Sequence, residues 1–547
     1  MEERRLYDPA DEVQDYSKLL NDSNSEENDR SYSSLQEEAL LFEEAIASTG
    51  IGNFHYLLLC VCGWALASDS VEIQAVSFVL PSACDLNLTS SDKGWLNAII
   101  FVGMMVGGYS FGGVADIKGR RFVLMWSMSL NGLFALASSF ADDFLMFLFL
   151  RLMSGVGVGA AMPVVFAYFT EFLSMKNRGP MIGFLASFWM VGNIMTAGIA
   201  WFIIPKLHLG SHVGDIFYGS WRIFVALCSI PSISSALFVF LLPESPKFLQ
   251  KTGRFEEAAN VMTKVYKMNN SSKRHLIPPE ISKFSAFCEE SSLTREVREF
   301  VNRGNKDEYE KCGKNLKRTL SRLWKSSKEL FRAPLTSRTW ISILIWFTLS
   351  FGFYGLWMWF PELFQRIQSG QSSCSRSASH TGVVNPMANM TCREKVMNNN
   401  QIYFESFLVA LSNLPGNVIM IILVNKIGRR KLLAASMVVS GVSAFFFWFV
   451  TTRTHMIIMS CIFSGLATAG WNALDVLSME LYPTHLRSTA FGIQAGVGRI
   501  GAILANQIFG LLVDVHCAIP LFLVAGLLST GGLAALKLPK TDNEALH

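Results

Sequence analysis

The chain has 547 residues, of which 51% are hydrophobic and only 16% charged, with a formal net charge of +4 and a mean hydropathy of +0.32. Soluble domains carry about 25% charged residues, so this composition speaks for a membrane protein, and bases that collect in loops without forming a stripe exclude a nucleic-acid binder. Ten cysteines without a Cys-Xaa-Xaa-Cys pair indicate neither a zinc centre nor a disulfide scaffold, and no metal or cofactor is expected.

Residues 1–50 are polar and mostly acidic and read as a disordered cytosolic tail, in which Leu40, Leu41, Ala45 and Ile46 could make a short helix leading into the membrane. Twelve stretches are then apolar and long enough to cross a bilayer as helices. Six, near 55–80, 94–114, 122–141, 144–170, 180–204 and 221–242, form an N-terminal half over 51–246. Six more, near 339–361, 402–424, 432–451, 456–479, 490–513 and 518–537, form a C-terminal half over 338–538. The fold class is therefore an all-α membrane protein of two six-helix halves. Between them lies a basic loop, 247–337, and a short tail follows at 539–547.

Lys and Arg crowd alternate loops, which by the positive-inside rule puts both termini and the central loop in the cytosol. The sequons at Asn87 and Asn389 then fall outside, as glycosylation requires. The outer loop 362–400 contains Cys374 and Cys392, which either pair or remain free thiols. In the central loop, Lys314 to Arg332 is a basic amphipathic stretch that suits either an anionic leaflet or the bundle.

The turn after the second span reads Gly112-Gly-Val-Ala-Asp116-Ile-Lys-Gly119-Arg120-Arg121. At 309 residues further on, Gly428-Arg429-Arg430 repeats its end, and Glu171 and Arg178 recur at the same offset as Glu480 and Arg487. Two pairs in one register make the halves homologous, the usual construction of secondary transporters. The turn resembles the loop signature of the major facilitator superfamily. In such a loop Asp116 would accept from helix N-terminal amides while Arg120 or Arg121 reaches a carboxylate such as Glu171, and the set would act as an inner gate latch. The second copy departs from the signature, with Asn425 at the Asp position and Ile421 at the first Gly, so the latch between the halves is expected to be asymmetric.

Within the spans, Asp69 and Glu72 stand at i and i+3 on one helix face, where an ionisable group is costly enough to suggest function; either carries a proton or pairs with a cationic ligand. Arg151 opens the fourth span and needs either a partner inside or the headgroups, while Gly155, Gly157 and Gly159 behind it let helices approach closely. Trp471, Asn472 and Asp475 in the tenth span, with Trp201 in the fifth, suit a sugar stacked on indoles or a cation over a ring, and Arg499 is a countercharge for Asp475. Tyr354, Trp357, Asn413, Asn417, Asn506 and Gln507 are further candidates for a central cavity.

The segments at 103–107, 151–159, Pro243 to Phe248, 350–356, Leu414 to Asn417, Trp471 to Leu477 and Glu480 to Thr484 resemble the synaptic vesicle glycoprotein 2 group. That resemblance implies a transporter-like protein of secretory or synaptic vesicle membranes, with Trp201, Trp471 and Asp475 matching the group's small-ligand pocket. It departs at loop 362–400, too short for the group's luminal β-solenoid domain. The expectation is alternating-access transport of a sugar or an organic cation, with proton coupling. The competing expectation is a vesicle protein that binds partners through its tail and central loop. No nucleophile and base stand at a recognisable spacing, so an enzyme is not expected.

Overall fold

The computed structural model describes residues 40–206, 211–213, 216–270, 278–287, 327–368, 400–450, 452–516 and 518–539. Twelve long helices run through it. In the first half they are α1 (Asn53–Val79), α2 (Ser90–Lys118), α3 (Arg120–Ser138), α4 (Phe144–Thr170), α5 (Met175–Ile203) and α6 (Ser220–Leu241). In the second they are α7 (Thr336–Trp357), α8 (Asn400–Ile427), α9 (Arg429–Phe446), α10 (Arg453–Glu480), α11 (Thr484–Leu512) and α12 (Ala518–Ala535). Each matches an expected span to within a few residues. Among the described residues, 10 helices are long and apolar enough to cross a membrane. Large apolar side chains on the outer surface, among them Leu145, Phe149, Leu237, Leu241, Phe445 and Leu511, stand where lipid would cover them.

The helix boundaries follow from their end residues. Thr89 and Asp92 form a reciprocal capping box at the start of α2, and the Asp143 carboxylate accepts from Met146 N at 2.8 Å at the start of α4. Gly119 joins α2 to α3 with φ +102°, and Gly428 joins α8 to α9 with φ +87°, both in the region glycine favours.

Packing repeats with the sequence. In the first half α1 packs on α5 and α6, α2 on α4, and α3 on α4 and α6; in the second, α7 packs on α11 and α12, α8 on α10, and α9 on α10 and α12. Across the halves α2 meets α11 and α5 meets α8. The α2–α4 contact is backbone to backbone. A Cβ on Gly103 or Gly107 would strike α4 backbone, and one on Gly155 or Gly159 would strike Ile100 or Met104 of α2.

Two regions refine the expected outline. Residues 40–48 are helical, as their apolar quartet allowed, and do not belong to a disordered tail. They bury Phe42, Ala45 and Ile46 against Phe255, Ala258, Met262 and Phe284 of the helices at Phe255–Asn269 and 279–287. A two-stranded antiparallel ribbon, β1 (Ser211–Val213) with β2 (Ile216–Tyr218), lies between α5 and α6. Residues 1–39, Asn389, Cys374, Cys392 and most of the basic stretch Lys314 to Arg332 lie outside the described residues.

Candidate functional site

The first half contains a buried charge network. Glu72 of α1 accepts from the Arg151 guanidinium and the Ser154 hydroxyl of α4. Ser154 Oγ, whose one proton serves Glu72, also lies 2.9 Å from Asn131 Oδ1 of α3, and Asn131 Nδ2 donates to Ser232 Oγ of α6 at 3.0 Å. Arg151 is fully buried and Glu72 is 1% exposed. Arg151 therefore belongs to the core of its half, not to a gate, and Glu72 is committed to it rather than open to a solute.

Asp69, one turn before Glu72, is 2% exposed and neither carboxylate oxygen has a hydrogen-bond partner. The charges acting on it are Glu72 and Arg499. Arg499, on α11 of the other half, donates to Met104 O of α2 at 3.0 Å. In place of the expected pairing with Asp475, the Arg499 guanidinium bonds to the α2 backbone of the other half.

An aromatic cage fills the centre between the halves. Tyr354 of α7 lies 4.8 Å from Phe101 of α2 and 5.8 Å from Trp471 of α10, ring centroid to centroid. Trp357 stacks on Phe353 at 5.2 Å and faces Trp189 of α5 at 6.0 Å, and Trp346 meets Trp471 edge-on at 5.5 Å. The Trp471 indole N–H has no acceptor. One turn along α10, Asp475 is half-buried and carries no hydrogen bond among the described residues. Its charge acts on Tyr354, which ties it to the same cage. Asn472 Nδ2 donates to Asn417 Oδ1 at 2.7 Å, and Asn417 Nδ2 reaches Ser187 Oγ of α5 at 3.5 Å, a polar bridge between the halves beside the cage.

Other expected cavity residues sit elsewhere. Trp201 packs on Phe404 at 4.9 Å and Phe407 at 5.7 Å, at the end of the α5–α8 contact, in a different apolar cluster from Trp471. Asn413 Oδ1 is taken by Ser464 at 2.7 Å and Thr468 at 3.0 Å, joining α8 to α10. Asn506 accepts from Trp359 Nε1 at 3.0 Å. Gln507 keeps an unpartnered Nε2.

The basic turns hold each half together. Arg120 Nε donates to Glu171 Oε1 at 3.1 Å, and Arg429 pairs with Glu480, so both offset pairs form. Arg121 donates to Phe240 O at the end of α6 at 2.5 Å, and Arg430 to Leu538 O beyond α12 at 2.7 Å. Each of these four bonds closes inside one half, and the Arg120–Glu171 and Arg429–Glu480 pairs are those expected of the inner latch. Arg178 donates to Leu173 O and to Glu43 of the helix at 40–48, both at 3.0 Å. Arg487 keeps a buried Nε without a partner. The side chain of Asp116 lies outside the described residues.

Sequence reasoning missed Glu244. Its Oε1 accepts from the backbone N–H of Arg120 and Arg121, each at 3.1 Å, and of Ser245 at 2.9 Å, so a carboxylate sits on the positive end of α3. The segment Pro243 to Phe248 carries part of the family resemblance, yet nothing local marks its Glu as a cap for a helix more than a hundred residues away. On the opposite face Asn87 is exposed with φ +46°, two residues before the α2 cap, and Cys84 is disulfide-bonded.

Known proteins agree with this architecture. Residues 18–351 match the family described as Sugar (and other) transporter, and residues 377–546 match the Major Facilitator Superfamily. Rattus norvegicus synaptic vesicle glycoprotein 2C is 33% identical over 93% of this chain and 82% of its own length. Homo sapiens synaptic vesicle glycoproteins 2B and 2A are 33% and 32% identical over 92% and 94% of the chain, covering 86% and 80% of theirs. Among solved structures, a partially occluded inward-open form of the E. coli xylose transporter XylE superposes with TM-score 0.64 at 16% identity, covering 90% of this chain and 99% of that one. The proton:xylose symporter XylE bound to 6-bromo-6-deoxy-D-glucose gives 0.58 at 18% identity, covering 89% and 96%.

Proposed function

Because the chain belongs to the major facilitator superfamily, within its sugar (and other) transporter family and beside the synaptic vesicle glycoprotein 2 proteins, we propose that it carries a small organic cation across a membrane by alternating access. The observation that carries this reading is Asp475: a half-buried carboxylate without a partner, beside the Trp471 and Tyr354 rings, where the two halves meet. An uncompensated carboxylate in an apolar setting is expensive and is relieved by a cation, which the ring faces also attract. The Glu72–Arg151 pair cancels its own charge and leaves that preference intact. Asp69, buried and without a hydrogen bond, is the group that takes up a proton when the halves rock and Arg499 moves away. A ligand drives the cycle only if it binds one state better than the other.

A neutral sugar is the second reading, favoured by the unpartnered Trp471 N–H, which a hydroxyl would satisfy. The membrane is that of a secretory or synaptic vesicle or the plasma membrane, with both termini cytosolic. Purified protein in proteoliposomes, given labelled organic cations and hexoses with and without a proton gradient, tests both readings. The expected result is cation uptake that Asp475→Asn lowers by at least about tenfold with the fold retained. Hexose uptake indifferent to Asp475→Asn would replace the cation reading with the sugar one. Uptake of neither class would remove transport and leave a binding protein on this scaffold.

A further inference from the structure

The charges that join the two halves lie on the face opposite the arginine turns. There a helix at Phe360–Gln368, just after α7, brings Glu362 and Arg366 against the start of α2. Glu362 is 2% exposed and accepts from Lys93 Nζ of α2 at 2.7 Å and from Arg366 Nε at 2.9 Å. Arg366 also donates to Asp514, just beyond α11, at 2.6 Å and to Ser90 Oγ, the first residue of α2, at 2.8 Å. Gln365 Nε2 reaches Pro81 O at the end of α1 at 3.4 Å. Beside this cluster Gly94 of α2 and Gly510 of α11 touch through their backbones.

Among the described residues, Lys93–Glu362 is the ion pair that crosses from one half to the other, whereas Arg120–Glu171 and Arg429–Glu480 each stay within a half. We propose that Lys93, Glu362, Arg366 and Asp514 form a latch that holds the opposite face shut, and that its rupture is the step opening the central site to that side. The inference rests on the alternating-access reading. Separating α2 from the Phe360–Gln368 helix strands Glu362 from Lys93 and Arg366 from Ser90. Both bonds are largely shielded from solvent, so they resist separation far more than exposed pairs do. A pair on the same face serves as an internal control, because Arg453 and Glu405 join α10 to α8 inside the second half and span no moving boundary.

The test uses full-length protein in sealed vesicles, with a cysteine placed in the cage by Tyr354→Cys and a membrane-impermeant thiol reagent added to one side at a time. Labelling of protein without Tyr354→Cys gives the background. Arg366→Gln is expected to raise labelling from the opposite face by at least about tenfold and to lower it from the basic face. Lys93→Gln, which leaves the Arg366 bonds to Asp514 and Ser90 standing, gives a smaller rise and keeps the test alive should Arg366→Gln fail to fold. Arg453→Gln leaves labelling unchanged. Unaltered rates in both folded latch variants overturn the latch, and so does an equal rise in Arg453→Gln. Labelling that reaches the cysteine from neither face in any variant overturns alternating access itself, which separates the two failures.

Discussion

Asp514 sits beyond the last turn of α11, and its environment pulls its carboxyl in two directions. Partial burial pushes its pKa up, but the Ser90 hydrogen bond and the Arg366 guanidinium outweigh this and hold it below the usual carboxylate range. A lowered folded value means stabilisation that is complete above the ordinary range, near about pH 4, and lost only as pH falls through the lowered value. The stability deficit of Asp514→Asn should therefore stay constant from neutral to mildly acid pH and vanish in stronger acid, as thermal melts of both proteins across pH would show. A deficit that shrinks already in the mildly acid range would mean that Asp514 is not held this way.

At this scale the sequence named charges well and partners poorly. The cost of Asp69, Glu72 and Arg151 in an apolar span was legible from residue type alone, whereas the Glu72–Arg151 pairing needs a contact between α1 and α4. Arg499 was matched with Asp475 on proximity of spans, but its guanidinium points across to Met104. Trp201 packs on Phe404, a neighbour that residue type alone does not reveal, since an indole near a span end looks alike whatever ring it meets. Glu362 and Arg366 were hidden because they begin a stretch whose polarity reads as a loop.

At the scale of elements, the joints between helices are set by a few backbone requirements. Gly119 combines φ +102° with a position where a Cβ would run into the Glu244 carboxylate and meet the Phe248 ring at 3.2 Å. That carboxylate cannot swing aside without releasing the three N–H groups it caps. Gly119→Ala should therefore cost about 1–3 kcal/mol, seen as a lowered Tm in detergent. Gly112→Ala, with nothing within 4 Å of the added Cβ, should stay within about 0.5 kcal/mol. Equal melting of the two variants would remove Glu244 and the backbone strain from the account. The helices themselves were legible because apolar length is dictated by the bilayer. Their offset partners were legible because Arg120 with Glu171 and Arg429 with Glu480 preserve one spacing twice.

For the whole molecule, the helix at 40–48 fastens the central-loop helices to the first half. Asn269 accepts from Phe54 N at 3.0 Å at the start of α1 and donates to Gly50 O at 2.9 Å, while Phe42, 2% exposed, packs with Phe255, Met262 and Phe284. Phe42→Ala removes about 3–5 kcal/mol of local packing, enough to populate an open cap while the spans stay folded. Trypsin should then cut between Arg254 and Lys267 markedly faster than in the unaltered protein, and unchanged digestion would show that the helix does not hold the cap. Its apolar quartet was visible in the sequence, but its docking site, built from Phe255, Met262 and Phe284, was not, because those residues lie in the basic loop between the halves.

The backbone contact between α2 and α4 also bears on how many independent motions the protein has. With Gly103, Gly107, Gly155 and Gly159 in register, backbone meets backbone at these four positions, leaving no side chain there to act as a lubricant. The start of α2 with Lys93 and the early turns of α4 with Arg151 are therefore parts of a single rigid piece. Work done on Lys93 at one surface arrives beside Glu72 in the middle of the protein without being spent on bending, as it would along a welded beam.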